Sequence, residues 1–360
     1  MMRDEDYMKR ALELAGKGRG RTNPNPAVGC VIVKKGTIVG EGWHRVCGGP
    51  HAEIFALRQA GAQARGAQMY VTLEPCAHQG RTGPCVDQII AHGLKRVVIA
   101  TTDPNPAVSG RSVRKMRRAG IKVSTGCLKS EAIGLNPWFA KWITQHIPLV
   151  TLKTAQTLDG KISSATGRSQ WITSSATRRY TRRLRNDFDA ILVGVNTVLS
   201  DNPRLDPVVR CKPWTKVVMD SRLRIPLTAR LFRNSRVIVA TTAQASQVKI
   251  RRLEARGVTV VVCPAVRGKV SVGALLKELG RRSITNILVE GGASVSGAML
   301  KAKAADRMLT VIAPKILGDQ QALSAIQGLN IRDVNRAIGL DIETVYQIGR
   351  DWIFEGSIVY

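Results

Sequence analysis

The chain has 360 residues, 44% of them hydrophobic, and its 55 lysines and arginines outnumber 26 acidic residues to give a formal net charge of +29. That length fits two domains, each able to bury a core, and the balanced composition excludes a disordered or low-complexity protein. No apolar run reaches the roughly 18 residues of a membrane span; Asp4, Glu5, Asp6 and Glu13 argue against an export signal, and seven cysteines, an odd number, fit a reducing cytoplasm. The basic excess suits nucleic acid, an acidic surface or phosphorylated small molecules. Aromatic residues are only 4%, so platforms for stacking bases are scarce.

In chain order, the pattern predicts a helix over Asp4 to Lys17, a hairpin from Val28 to Lys34 and Thr37 to Glu41, a helix over 51–60 and a strand over 69–73. Helix 84–92, strand 96–100, helix 112–118, strand 121–124 and helix 130–145 follow. This is an α/β domain with a mixed sheet flanked by helices. Ile147-Pro148 marks its end, because proline stops the helix and an extended run from Leu149 to Thr154 begins at once. Further β-rich runs at 189–195, 215–220, 236–241, 258–263 and 284–290, mostly separated by helical patterns, make the second half α/β as well. Thr344 to Gly349 and Trp352 to Val359 read as an antiparallel pair at a sheet edge. The near-repeat of Thr22-Asn23-Pro24-Asn25-Pro26-Ala27-Val28 by Thr102-Asp103-Pro104-Asn105-Pro106-Ala107-Val108 reflects turn chemistry rather than duplication.

Two segments of the first half carry chemistry: Pro50-His51-Ala52-Glu53, and Glu74-Pro75-Cys76 with Cys85. One imidazole and two thiolates leave the fourth position of a tetrahedral zinc open to water, which then loses a proton near neutral pH. Glu53, two residues from His51 in the first helical turn, is placed to shuttle protons without being a ligand. The zinc deaminases share this logic. A closed structural zinc would need a fourth ligand, for which His78 and Cys47 are nearest, and would leave Glu53 unexplained. In the second half, Val289-Glu290-Gly291-Gly292-Ala293-Ser294-Val295-Ser296-Gly297 ends a strand and opens a helix, a place where backbone amides cradle phosphate or where glycines serve packing alone.

These residues resemble the bifunctional deaminase/reductase family of riboflavin biosynthesis, over nearly the whole chain. The resemblance rests on Pro24 to Gly29, Pro50 to Glu53, Thr72 to Cys76 with Gly80-Arg81-Thr82 and Cys85, and Asp103 to Pro106. In the second half it rests on Leu158 to Lys161, Ser169 to Thr173, Gly194-Val195 with Thr197-Val198, Asp201-Asn202-Pro203, Val289 to Gly292, and Ala313-Pro314-Lys315. Eight residues separate Cys76 from Cys85, whereas deaminases of nucleosides or transfer RNA usually have two. The resemblance implies a cytidine-deaminase-like three-layer domain over 1–146, a zinc-dependent pyrimidine deaminase, followed by a dihydrofolate-reductase-like α/β domain over 147–360 that uses NADPH.

By that resemblance, His51, Cys76 and Cys85 hold zinc, Glu53 is catalytic, and Asn25, His44 and His78 line the pyrimidine pocket. Ala155, Trp171, Thr197, Asp201, Ser221 and the turn Gly292, Ala293, Ser294, Val295, Ser296, Gly297, Ala298 match cofactor positions. Ser169, Arg185, Leu205 and Glu290 match substrate positions, with Arg185 suited to the substrate phosphate. The expected partner is a phosphorylated pyrimidine in the cytoplasm, with neither nucleic acid nor membrane, and a homo-oligomer is left open. Three departures stand out: Val208 occupies a usual arginine position, with Arg210 two residues on, and Ala77 and Gly83 replace a common serine and proline. A nucleic-acid deaminase with an accessory domain and a non-enzymatic nucleotide-binding protein are the rivals; Glu53 beside three ligands argues against the second.

Overall fold

Tyr7, Met8, Ala11, Leu14 and Ala15 fall on one face of α1 (Asp4–Gly16), whose first turn is acidic, and this face is buried. It packs on a hairpin of β1 (Gly29–Lys34) and β2 (Thr37–Trp43). In the computed structural model, which describes residues 3–77, 83–106, 108–209, 214–233 and 236–360, the chain divides into two compact units, Met1–His146 and Ile147–Tyr360.

The first unit continues with α2 (Ala52–Ala60), β3 (Gln68–Leu73), α3 (Cys85–Ala91), β4 (Arg96–Thr101), α4 (Arg111–Arg118), β5 (Lys122–Thr125), α5 (Lys129–Leu135) and α6 (Pro137–Gln145). Its sheet runs β2-β1-β3-β4-β5, with β1 antiparallel to both neighbours and β3, β4 and β5 parallel. A side chain at Gly29 would strike the Ala11 carbonyl of α1, whereas one at Gly42 would lie 2.2 Å from the Ala52 carbonyl of α2. Gly42 pairs with Cys30, the residue after Gly29, so the two helices cover opposite faces. The missing side chain at Gly42 lets the start of α2, and the residues ahead of it, lie directly on the sheet.

The predicted helix over 130–145 is two helices, broken at Asn136. Pro137 takes the first position of α6 and disfavours helical backbone at the residue before it. Asn136 uses that break: its Oδ1 accepts the Ala27 amide at 2.7 Å and its Nδ2 donates to the Ala27 carbonyl at 2.8 Å.

The second unit comprises β6 (Leu149–Thr157), β7 (Lys161–Ser163), α7 (Ser175–Leu184), β8 (Ala190–Gly194), α8 (Val195–Asp201), β9 (Thr215–Met219), β10 (Arg236–Thr241), α9 (Gln247–Glu254), β11 (Thr259–Val262), β12 (Ala265–Val266), β13 (Lys269–Val270), α10 (Val272–Arg281), β14 (Asn286–Val289), α11 (Ala293–Lys301), β15 (Arg307–Ala313), β16 (Leu323–Ser324), β17 (Gly339–Ile348) and β18 (Asp351–Val359). Its main sheet has nine strands in the order β11-β10-β9-β8-β14-β6-β15-β18-β17. The first seven are parallel, and the β17–β18 hairpin adds an antiparallel edge. Alternation along β8 feeds two cores: Ala190 and Leu192 enter one, Ile191 and Val193 the other. Strand β15 was not foreseen although Met308-Leu309-Thr310-Val311-Ile312 is a short apolar run, and the two-stranded ribbons β12–β13 and β7–β16 were likewise missed.

Candidate functional site

His51 is the residue immediately before α2, and Cys85 is the first residue of α3. These two helix starts meet the loop after β3, where Cys76 lies. The His51 Nδ1 stands 3.6 Å from Cys76 Sγ and 3.2 Å from Cys85 Sγ, and the three donor atoms all lie within 4.8 Å of one another. Zinc bonds of usual length at tetrahedral angles would put nitrogen and sulfur about 3.5 Å apart, so the donor set fits that ion. The Cys85 amide donates to Cys76 Sγ at 3.2 Å. A hydrogen bond from Cys85 and the nearby His51 bring the Cys76 thiol down to about 4 against the opposing effect of burial, while that same bond and burial push Cys85 up. Cys76 is therefore a ready thiolate. Among the described residues the cluster has three members, and Cys47 is exposed and outside it.

Glu53 is buried beside this cluster, within reach of the Cys85 thiol, and its Oε2 has no hydrogen-bond partner. Burial raises its pKa, with His51 opposing. A lone buried carboxylate oxygen at a three-donor centre is costly unless something occupies the space beside it. His44, also buried, stacks edge-on against His51 with ring centroids 5.2 Å apart. Its Nδ1 lies 3.0 Å from the Pro50 carbonyl, which can only accept, so Nδ1 carries the proton and Nε2 accepts from Asn25 Nδ2 at 3.3 Å. Asn25 and His44 thus sit together behind His51, whereas His78 lies outside the described residues. Glu74 was missed as an organiser: its buried carboxylate accepts the amides of Asp103, Gly110 and Ser112 and the Ser112 hydroxyl, pinning the second proline loop two residues before Cys76.

The second unit contains a cavity of about 570 Å³ over the carboxyl ends of β8, β9 and β14, lined among others by Thr197, Ser221, Gly292, Ala293, Ser294, Val295 and Ala298. Ligands of open parallel sheets bind at such strand ends. The Thr197 hydroxyl accepts the Gly292 amide at 3.3 Å, holding the turn that opens α11. Ser296 and Gly297 face the other way and are buried; a side chain at Gly297 would collide with the Gln327 carbonyl. Their place in the turn is set by packing.

Arg185 pairs bidentately with Glu290, at 2.7 and 2.9 Å, and donates to the Asp206 carbonyl at 3.0 Å. Lys153 approaches Glu290 to 3.9 Å. Burial pushes the Glu290 carboxyl up, but Arg185 and Lys153 outweigh it and hold it at about 2, whereas burial lowers Lys153. Lys216, fully buried, pairs with Asp206 at 2.9 Å beneath this loop. Leu205 has its side chain in the core, and its carbonyl accepts Trp214 Nε1. Val208 is exposed, and Arg210 lies outside the described residues. Burial raises the Asp201 carboxyl and the Ser169 hydroxyl draws it back, which puts those two residues together. Trp171 is exposed with Arg178 4.2 Å above its ring, and Ala155 lies on β6 among apolar neighbours.

Comparison with known proteins adds a class to each half. Residues 1–101 match the cytidine and deoxycytidylate deaminase zinc-binding region, and residues 148–354 match the RibD C-terminal domain. The molecule is an enzyme that joins a zinc deaminase to a reductase. Riboflavin biosynthesis protein RibD of Actinobacillus pleuropneumoniae is 42% identical over 99% of this chain and 96% of its own length, and that of Escherichia coli is 42% identical over 91% and 92%. Among solved structures, Acinetobacter baumannii RibD matches at 36% identity with a TM-score of 0.90, covering 99% of both chains. A Thermotoga maritima diaminohydroxyphosphoribosylaminopyrimidine deaminase/5-amino-6-(5-phosphoribosylamino)uracil reductase matches at 39% and 0.86, covering 98% of both. The chain belongs to the RibD family of riboflavin biosynthesis proteins, with zinc and NADPH as cofactors. No helix among the described residues is long and apolar enough to cross a membrane.

Proposed function

We propose that the first unit removes a ring amino group by hydrolysis from 2,5-diamino-6-ribosylamino-4(3H)-pyrimidinone 5′-phosphate, and that the second reduces the ribosyl side chain of the product to ribityl, giving 5-amino-6-ribitylamino-uracil 5′-phosphate. The observation that carries this reading is the cluster of His51, Cys76 and Cys85 with the unpartnered Glu53 Oε2 beside it. His51, Cys76 and Cys85 are the zinc ligands; when bound, the metal makes water acidic enough to act as a nucleophile at neutral pH. Glu53 takes the water's proton and returns protons to the ring nitrogen and the departing amine. Its burial favours the protonated form that donation requires. His44 and Asn25 hold His51 in orientation and border the pyrimidine pocket, in which His78 also belongs.

In the second unit, NADPH supplies the hydride when bound. Thr197, Ser221 and, in the turn from Gly292 to Ala298, Gly292, Ala293, Ser294, Val295 and Ala298 receive it along the cavity while Ser296 and Gly297 support the turn from behind, with Ala155, Trp171 and Asp201 completing the cofactor contacts. Ser169, Arg185, Leu205 and Glu290 receive the substrate. Three of the five Arg185 N–H groups are engaged by Glu290 and Asp206, leaving two for phosphate oxygens. The compartment proposed is the cytoplasm, a reading that the six free cysteines among the described residues support. Self-association is proposed along the edge strand β17, where Ile342 and Val345 are exposed; light scattering tests it. The decisive experiment supplies the diaminopyrimidinone with and without NADPH and identifies products by mass. Ammonia and the deaminated ribosyl compound should appear without NADPH, and the ribityl compound only with it.

A further inference from the structure

Lys216 lies near the start of β9 and is 0% exposed, although the residues two before and two after it, Trp214 and Val218, belong to an apolar core with Leu205 and Leu231. An ammonium group in such surroundings must be paired. Lys216 Nζ stands 2.9 Å from Asp206 Oδ1 and donates to the Leu231 carbonyl at 2.9 Å. A buried ion pair gains little stability over apolar side chains of the same volume, so its use lies in what it holds in place.

It holds the segment 202–209. Leu205 has a left-handed backbone, φ 58°, a conformation that a bulky side chain keeps only where its surroundings impose it. That bend sends the Leu205 side chain into the core and gives its carbonyl to Trp214 Nε1 at 3.0 Å. Asp206 then faces two ways: its carboxylate meets Lys216, and its carbonyl accepts Arg185 Nη1 at 3.0 Å. Both ends of the segment are fastened, Asn202 Oδ1 accepting the Arg230 amide at 2.8 Å and the Val209 amide donating to Asn186 Oδ1 at 3.2 Å. Arg185 is thereby held from two sides, by Glu290 on Nε and Nη2 and by Asp206 on Nη1.

We propose that Lys216 is a positioning residue of the reductase: through Asp206 it fixes the Arg185 guanidinium where the phosphate monoester of the substrate binds. The inference rests on the reading that Arg185 receives that phosphate. The N–H groups left on Arg185 grip phosphate oxygens well only when the plane of the guanidinium is set beforehand. Without the Lys216 ammonium, the Asp206 carboxylate turns to water, its carbonyl moves with it, and Arg185 keeps Glu290 as its anchor. The loss falls on binding of the phosphorylated substrate and spares hydride transfer.

The test follows NADPH oxidation by the full, zinc-loaded chain with the deaminated ribosyl compound and with its dephosphorylated form. Lys216→Met should raise KM for the phosphorylated compound about 10-fold, with kcat and the NADPH dissociation constant held. KM for the dephosphorylated compound should stay at the wild-type value. The double variant Lys216→Met, Asp206→Asn removes both charges, so no carboxylate is left without its partner and the melting temperature should return towards wild type, while KM for the phosphorylated compound stays high. A KM that recovers together with the melting temperature would make Lys216 a purely structural residue and overturn the inference. An unchanged KM in the folded double variant, or an equal rise for both compounds, overturns it too. Wild type that takes both compounds with the same KM would instead bring down the phosphate role of Arg185 beneath it.

Discussion

Three donor atoms within 4.8 Å of one another and one buried carboxylate make the first unit's centre, whereas the second unit spreads its contacts over a cavity of about 570 Å³ at the ends of several strands. The difference follows from the chemistry. Activating water requires a few groups at fixed distances in a dry place. Binding a dinucleotide requires a long surface, where backbone amides, hydroxyls and cations each add a part. The first centre should therefore fail outright when any one group is removed, and the second should decline in steps.

The largest effect expected is from removing zinc with a chelator. Ammonia release should fall to background while NADPH oxidation with pre-deaminated substrate persists, and loss of both together would break the division between the two centres. Next, Glu53→Gln should slow deamination by about 10²- to 10⁴-fold with zinc content and NADPH affinity held, as metal analysis and calorimetry would record. Arg185→Ala should lower reductase kcat/KM and cost about 3–5 kcal/mol in stability, because the buried Glu290 charge loses both its hydrogen bonds to the guanidinium and keeps only Lys153 at 3.9 Å. Adding Glu290→Gln should restore much of the stability but not the activity.

A pH series sharpens the same point. The folded pKa of Glu290 lies below its ordinary value, so its contribution to stability is complete above 4.5 and is lost only as pH falls towards about 2. Urea unfolding of Glu290→Gln should lack this acid-side loss. The smallest effect is expected of Asn136→Ala, at about 1–3 kcal/mol, read as a lower melting temperature of the first unit.

The same contrast governs what the sequence disclosed. His51, Glu53, Cys76 and Cys85 were legible because metal ligation and proton transfer admit few residue types, and helix starts bring them together. The α/β character of both halves and the terminal hairpin followed from periodicity. The break at Asn136 had a sign in the sequence in Pro137, but the bond it frees to Ala27, more than a hundred residues away, was not legible. Nor was the gathering of Arg222, Arg267 and Lys269 along the second unit's cavity, since they are dispersed among 55 basic residues and only the fold brings them together. The motif marked Leu205, but that its side chain fills the core was not legible.

Strand β6 opens the second unit in sequence but lies between β14 and β15 in its sheet, with the Val150 amide held by Asp306. During synthesis it must wait for residues 286–313 before either flank is paired, whereas all five strands of the first unit have already emerged by residue 125. The nascent chain thus carries an unsatisfied apolar ribbon through most of the second unit's translation, the condition in which chaperone capture and aggregation compete with completion.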